Sequence, residues 1–181
     1  ERFELDTKSL VTEVASNDGY LLQYFLESNI PCVGVEPTHG TARAAREKGV
    51  ETIEEFWGAK SAADFVKNRG RCDLMLGNNV LAHVPDINDF LKAFCWALKP
   101  DGVVTFEFPH LMRLVESNQF DTIYHEHFSY LSLTAVDDIL KGNGLVLFDV
   151  EELRTHGGSL RVYAQRLDSG CQKISERVRE T

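Results

Sequence analysis

A chain of 181 residues is long enough to bury one hydrophobic core and short for two. Its 28 acidic side chains outnumber its 19 Lys and Arg and give a net charge of −9, whereas a non-specific nucleic-acid binder needs a basic surface. No apolar run approaches the ~20 residues that span a bilayer, and no basic start leads into an apolar stretch. The expectation is a cytoplasmic protein without membrane or nucleic-acid partners. Cys32, Cys72, Cys95 and Cys171 lie far apart and form no CxxC pair, which points to reduced thiols rather than a metal site or a disulfide framework.

Short apolar runs alternate with amphipathic ones along the chain. Leu10 to Val14 reads as a strand and Tyr20 to Ser28 as the helix after it. Cys32 to Glu36 is a second strand, followed by a helix from Gly40 to Lys48 with Thr38 as its N-cap. Glu51 to Ile53 is a short strand, Ala59 to Lys67 a helix and Cys72 to Leu76 a fourth strand before an Asn-rich loop. Ile87, Phe90, Leu91, Phe94 and Leu98 recur at helical spacing, and Lys99-Pro100-Asp101-Gly102 is turn chemistry that ends that helix. Val103 to Phe108 is a fifth strand. A helix over Leu133 to Lys141 stops at Gly142, and Leu145 to Val150 and Leu160 to Gln165 are two closing strands. Strands separated by helices predict a mostly parallel sheet covered on both faces, and the short link between the last two strands predicts an antiparallel pair at one edge.

In open α/β sheets, ligands sit beyond the carboxyl ends of the strands where the strand order reverses. The first such loop reads Glu13-Val14-Ala15-Ser16-Asn17-Asp18-Gly19. It lacks the GxGxxG pattern of dinucleotide sites, and its acidic groups would repel a pyrophosphate, which counts against a nicotinamide dehydrogenase. They suit a ligand carrying positive charge, such as a sulfonium with an amino-acid tail. Glu36, 17 residues after Gly19, is placed to take both hydroxyls of a ribose. The plainer alternative is a simple turn at Asn17-Asp18-Gly19 and a solvated strand end at Glu36.

The densest group of ionisable side chains is Tyr124-His125-Glu126-His127. In a helical turn Tyr124 and His127 share a face; in an extended chain Tyr124 pairs with Glu126 and His125 with His127. The alternative is a polar loop whose histidines pair locally. His156-Gly157-Gly158-Ser159 lets the backbone approach a ligand closely, or is a β-turn. Arg161 meets a diphosphate or forms a surface ion pair. Phe90, Phe94 and Trp96 read as core or domain-contact residues, and Phe56 and Trp57 receive no role.

The runs VTEVASNDGYLLQYF, GVEP, DLMLGNNVLAHVPD and LKPDG resemble the class I S-adenosylmethionine-dependent methyltransferases, whose fold is Rossmann-like. FEFPHL, IYHEHFSYLS and THGGSLRVY narrow the resemblance to the sugar C-methyltransferases that act on nucleotide-linked keto-deoxysugars. The match covers nearly the whole chain. It implies that Glu13, Ser16, Asn17 and Gly19 line the methionine side of the S-adenosylmethionine site, that Glu36 holds the ribose and that Pro37 also belongs to the cofactor site. It places Asn78, Asn79, Val80 and His83 beneath the cofactor. It implies a nucleotide-sugar substrate pocket with Tyr124 and His127, the latter as general base, with Glu126 orienting an imidazole or contacting the sugar. His156, Gly157 and Gly158 would meet the substrate.

The cysteine-rich zinc segment and the further domain usual in that family are not in this sequence. Residues 1–181 are therefore expected to be the core domain of a longer protein, with contacts to flanking domains or self-association. The rival expectations are an O- or N-methyltransferase on another small molecule, or a catalytically idle binding domain of the same fold.

Overall fold

The computed structural model describes residues 2–169 and 171–180. The strands are β1 (Val11–Val14), β2 (Cys32–Val35), β3 (Thr52–Ile53), β4 (Cys72–Asn78), β5 (Leu98–Pro109), β6 (Leu145–Leu153) and β7 (Ser159–Arg166). The helices are α1 (Leu22–Glu27), α2 (His39–Glu47), α3 (Ala59–Arg69), α4 (Ile87–Ala97), α5 (Leu111–Glu116), α6 (Leu133–Gly142) and α7 (Arg177–Glu180).

The strands form one sheet in the order β3-β2-β1-β4-β5-β7-β6. Neighbours from β3 to β5 are parallel, and β7 runs antiparallel to both β5 and β6. The expected antiparallel pair is therefore present, with its second strand inserted between β5 and β6. Successive strands step outward from β1 in both directions, through β2 to one edge and β4 to the other. The crevice for a ligand opens where the order reverses, at the carboxyl ends of β1 and β4.

Both faces are covered, which is why β1 and β2 are buried along their whole length. Leu22 of α1, Ala45 of α2 and Val50 pack on Val11, Cys32, Leu74 and Leu76 from one side. On the other, Phe65 of α3, Phe90 and Phe94 of α4 and Val136 and Leu140 of α6 cover Val14, Met75, Val104 and Phe106. The start of α4 is fixed by Asp86, whose carboxylate accepts the Asp89 N–H at 3.0 Å. No described helix is long and apolar enough to cross a membrane.

Three local expectations change. Lys99-Pro100-Asp101-Gly102 does not separate α4 from a later strand; it bulges from within β5. From the pair Cys72↔Leu98 to the pair Leu74↔Val103, β4 advances two residues and β5 advances five. Pro100, which has no N–H for the ladder, sits in that bulge. Gly142 lies inside the last turn of α6, and Gly144 takes the left-handed backbone, with φ of +81°. Thr38 precedes α2 as expected, but its side chain caps nothing; its N–H donates instead to Glu36 Oε1 at 2.9 Å.

Candidate functional site

The loop after β1 is shaped by tight packing. Ala15, Asn17 and Gly19 all have positive φ, of 57°, 52° and 74°. A Cβ on Gly19 would come within 2.9 Å of Val50 Cγ2, so only glycine fits there. Ser16 is fully buried, and a Cβ on Gly34 of β2 would lie 2.3 Å from its Oγ. The Ser16 hydroxyl thus lies against β2, and no partner for it is found among the described residues. Glu36 organises the crevice. Its carboxylate accepts the N–H of Asn17 at 3.1 Å and of Thr38 at 2.9 Å, which ties the β1 loop to the β2 loop and fixes the carboxylate at their junction.

Glu13 is only 1% exposed. Its Oε1 accepts from Asn78 Nδ2 at the end of β4, 3.2 Å away, while Oε2 is buried without a partner among the described residues. Burial pushes its carboxyl up to about 8, against a smaller pull from the Asn78 hydrogen bond. A buried carboxyl oxygen with no donor, beside the crevice, is suited to a cationic group.

Two of the cavities lie past the carboxyl ends of the strands. The larger, about 380 Å³, is walled by Val14, Val35, Pro37, Trp57, Val80 and Phe90, with Glu55, Asp86 and Asp89 among its polar lining. Its size and apolar walls suit a flat aromatic ligand with a few polar edges. Trp57 is 8% exposed and packs edge-on to Phe65 and Phe94, whereas Phe56 is 83% exposed. The smaller cavity, about 170 Å³, is lined by Asn79, His83, Thr122, Tyr124, His127 and His156, together with Ala82 and Pro109. His83 lines both cavities and forms a wall common to the two.

The segment that follows α5 turns back on itself. The His127 N–H donates to the Tyr124 carbonyl at 3.1 Å, and the two rings lie 4.3 Å apart. This is the helical-turn arrangement of the two left open by the sequence. His127 Nδ1 lies 2.9 Å from the Thr122 carbonyl oxygen. A carbonyl only accepts, so Nδ1 carries the proton and Nε2 of the neutral ring has the free lone pair. The His83 ring stands edge-on to His127 at 4.7 Å. Burial and the neighbouring His127 hold His83 below the usual histidine range, against an opposing pull from Glu126. Glu126 is exposed and does not line the smaller cavity.

Of the residues singled out by sequence, Pro37, Val80 and His83 meet at the larger cavity. Tyr124, His127, His156 and Asn79 meet at the smaller one. Asn78 serves Glu13. Gly157 and Gly158 form the β6–β7 turn with φ of 75° and 120°, and the Gly157 carbonyl accepts from Gln119 Nε2 at 2.8 Å. Arg161 is an ion-pair residue, its guanidinium 2.7 Å from Glu107. Sequence reasoning missed Glu55, Phe56 and Trp57 as cavity residues. Their signal was an aromatic pair just past the carboxyl end of a strand, the side where such folds bind ligands.

A family model described as a methyltransferase domain matches residues 2–150. The C-methyltransferase NovU of Streptomyces niveus is 39% identical over 164 residues, which cover 91% of this chain and 39% of that one. The chain thus spans well under half the length of that relative. Among solved structures, the putative methyltransferase complexed with the Trm112 activator of Haloferax volcanii superposes with a TM-score of 0.71 at 12% identity, over 91% of this chain and 85% of that one. Magnesium protoporphyrin IX methyltransferase from Synechocystis PCC 6803, with bound SAH, gives a TM-score of 0.66 at 13% identity, over 87% and 74% of the two chains. The architecture is the Rossmann-like fold of these enzymes.

Proposed function

The chain belongs to the methyltransferase domain family, and from that premise we propose that it transfers a methyl group from S-adenosylmethionine to a carbon beside the ketone of a nucleotide-linked keto-deoxysugar. The observation that carries the carbon-acceptor reading is the His127 tautomer: Nδ1 is committed to the Thr122 carbonyl, and Nε2 is free to accept a proton. The likeness to a C-methyltransferase supports the same reading, as do the FEFPHL, IYHEHFSYLS and THGGSLRVY runs.

The residues present fit the cofactor. The orphaned Glu13 Oε2 suits the ammonium of an amino-acid tail, the fixed Glu36 carboxylate suits a ribose, and the larger cavity suits an adenine. When bound, S-adenosylmethionine supplies a methyl group made electrophilic by its sulfonium. The protein's own task is to make the acceptor carbon nucleophilic. His127 Nε2 takes the proton from that carbon, and the electron pair of the broken C–H bond moves into a carbon–carbon double bond, leaving negative charge on the ketone oxygen. Tyr124, against the His127 ring, positions the substrate. The smaller cavity holds the reacting end of the sugar, across His83 from the cofactor. The reaction belongs to the cytoplasm, with a small-molecule substrate and, in a longer chain, flanking domains that help cover the crevice.

Calorimetric titration with S-adenosylhomocysteine, followed by proton NMR of a nucleotide-4-keto-sugar with the protein in heavy water, tests this reading. Saturable binding and loss of the signal of the hydrogen beside the ketone are expected. Tighter binding of NADH than of S-adenosylhomocysteine, or a sugar signal unchanged by the protein, would contradict it.

A further inference from the structure

We propose that Asn79, its amide oriented by His156, holds the ketone oxygen of the substrate, so that Asn79 serves the substrate half of the site and not the cofactor half. The inference rests on the C-methylation reading above and adds to it the group that receives the developing charge. Four observations carry it. First, both side chains line the smaller cavity with His127 and Tyr124, and Asn79 does not line the larger one. Second, they meet: Asn79 Nδ2 lies 3.3 Å from His156 Nε2.

Third, both residues stand in the left-handed backbone region, with φ of 51° and 53°, although they come from different loops. For a non-glycine residue that conformation is costly and persists only where the surroundings enforce it. Here Glu107 of β5 braces both loops. Its backbone carbonyl takes the Asn79 N–H at 2.8 Å, and its carboxylate takes the Thr155 hydroxyl at 3.0 Å. Gln119 holds the next residue of the turn through the Gly157 carbonyl. Fourth, the Asn79 side-chain oxygen is buried with no partner among the described residues. A buried amide group without a partner is costly unless a ligand completes it.

An amide can exchange its oxygen and nitrogen by turning about its last bond. As placed, Nδ2 meets His156 and Oδ1 has no partner among the described residues; the turned amide exchanges these two positions. With its oxygen accepting from His156 Nε2–H, the amide presents its N–H donors to a substrate oxygen. Donors fixed in advance around an oxygen that gains negative charge are the usual way a protein stabilises an enolate.

The test measures exchange of the hydrogen beside the ketone into heavy water, with a nucleotide-4-keto-sugar and S-adenosylhomocysteine present, so that no methyl transfer is involved. Asn79→Asp keeps the shape and tolerates the left-handed backbone but lacks the N–H donors. It is expected to slow exchange about 10²–10³-fold, the scale of losing one such donor, with S-adenosylhomocysteine affinity within about twofold of wild type. Asn79→Gly, which relieves the backbone and removes the amide, should slow exchange comparably without lowering the unfolding temperature. His156→Gln should retain more exchange than His156→Ala. Wild-type exchange in Asn79→Asp, or lost cofactor affinity with normal exchange at saturating S-adenosylhomocysteine, overturns the assignment while leaving the C-methylation reading intact. Absence of exchange in the wild-type protein overturns both.

Discussion

His83 stands edge-on to His127 with ring centres 4.7 Å apart, and its imidazole is common to both cavities at the sheet's carboxyl edge. The proposed base and the proposed cofactor cavity are therefore adjacent, with one side chain between them. Orienting donor and acceptor in this way can contribute on the order of 7–11 kcal/mol to a displacement reaction.

His127→Asn removes the proposed proton acceptor, a residue that does not itself line the larger cavity. Turnover should fall by about 10²–10⁴-fold, the usual worth of a positioned general base. Calorimetry should give unchanged S-adenosylhomocysteine affinity. Wild-type turnover in this variant, with activity lost instead in Glu126→Gln or Tyr124→Phe, would show that the base lies elsewhere in the cluster.

Glu36→Ala removes the carboxylate that ties Asn17 to Thr38 and, with it, the proposed partner of the ribose. S-adenosylhomocysteine should bind more weakly by about 1–3 kcal/mol, the scale for losing a charge-assisted hydrogen-bonding partner. Titration of the purified variant reads this directly, and an unchanged constant removes Glu36 from the site.

Glu13 gives the protein a pH signature. Its carboxyl titrates near 8 in the fold and ordinarily near 4.5. At low pH both folded and unfolded chains hold the proton. As pH rises from the ordinary value toward the raised one, the unfolded chain releases it and the folded chain keeps it, so stability falls by up to ~1.4 kcal/mol per pH unit and then levels off. Glu13→Gln removes this loss and keeps a neutral acceptor for Asn78. Thermal unfolding should show the variant stabilised relative to wild type at about pH 8 and little changed at about pH 4.5, with cofactor binding weakened at about pH 8. Equal shifts at the two pH values would mean that Glu13 ionises normally.

Phe56 and Trp57 are neighbours with opposite roles. Trp57 is packed against Phe65 and Phe94, so Trp57→Ala should cost about 3–5 kcal/mol of stability by denaturant unfolding. The largely exposed Phe56 should cost under about 0.5 kcal/mol when replaced by Ala, while cofactor affinity drops because one wall of the larger cavity is lost. Loss of stability without loss of affinity in Phe56→Ala would place it outside the site.

The fold was legible because buried parallel strands are continuous apolar runs and the helices between them carry clear periodicity. Cys32–Val35 and Ile87–Ala97 fall within one residue of their expected bounds. The segment from 111 to 130 was not legible. Its aromatic residues follow neither a 3.6 nor a 2.0 period, and α5 escaped notice because it has no fully buried residue. The candidate site was half legible. Charge and loop position marked Glu36 and His127, but the bond from His127 back to Thr122, five residues earlier, depends on an irregular loop path without a periodic sequence signal. The burial of Glu13 did have one, a carboxylate inside the otherwise uncharged strand Val11–Val14.

The central claim, that the acceptor atom is carbon, is tested most directly by the product. The protein is incubated with a nucleotide-4-keto-sugar and S-adenosylmethionine carrying a ¹³C-labelled methyl group, and the transferred methyl is read by carbon–proton correlation NMR. A new methyl signal coupled to a sugar-ring carbon is the predicted result. A methyl signal at the shift of an O-methyl or N-methyl group, or a label that remains on the cofactor, would contradict it.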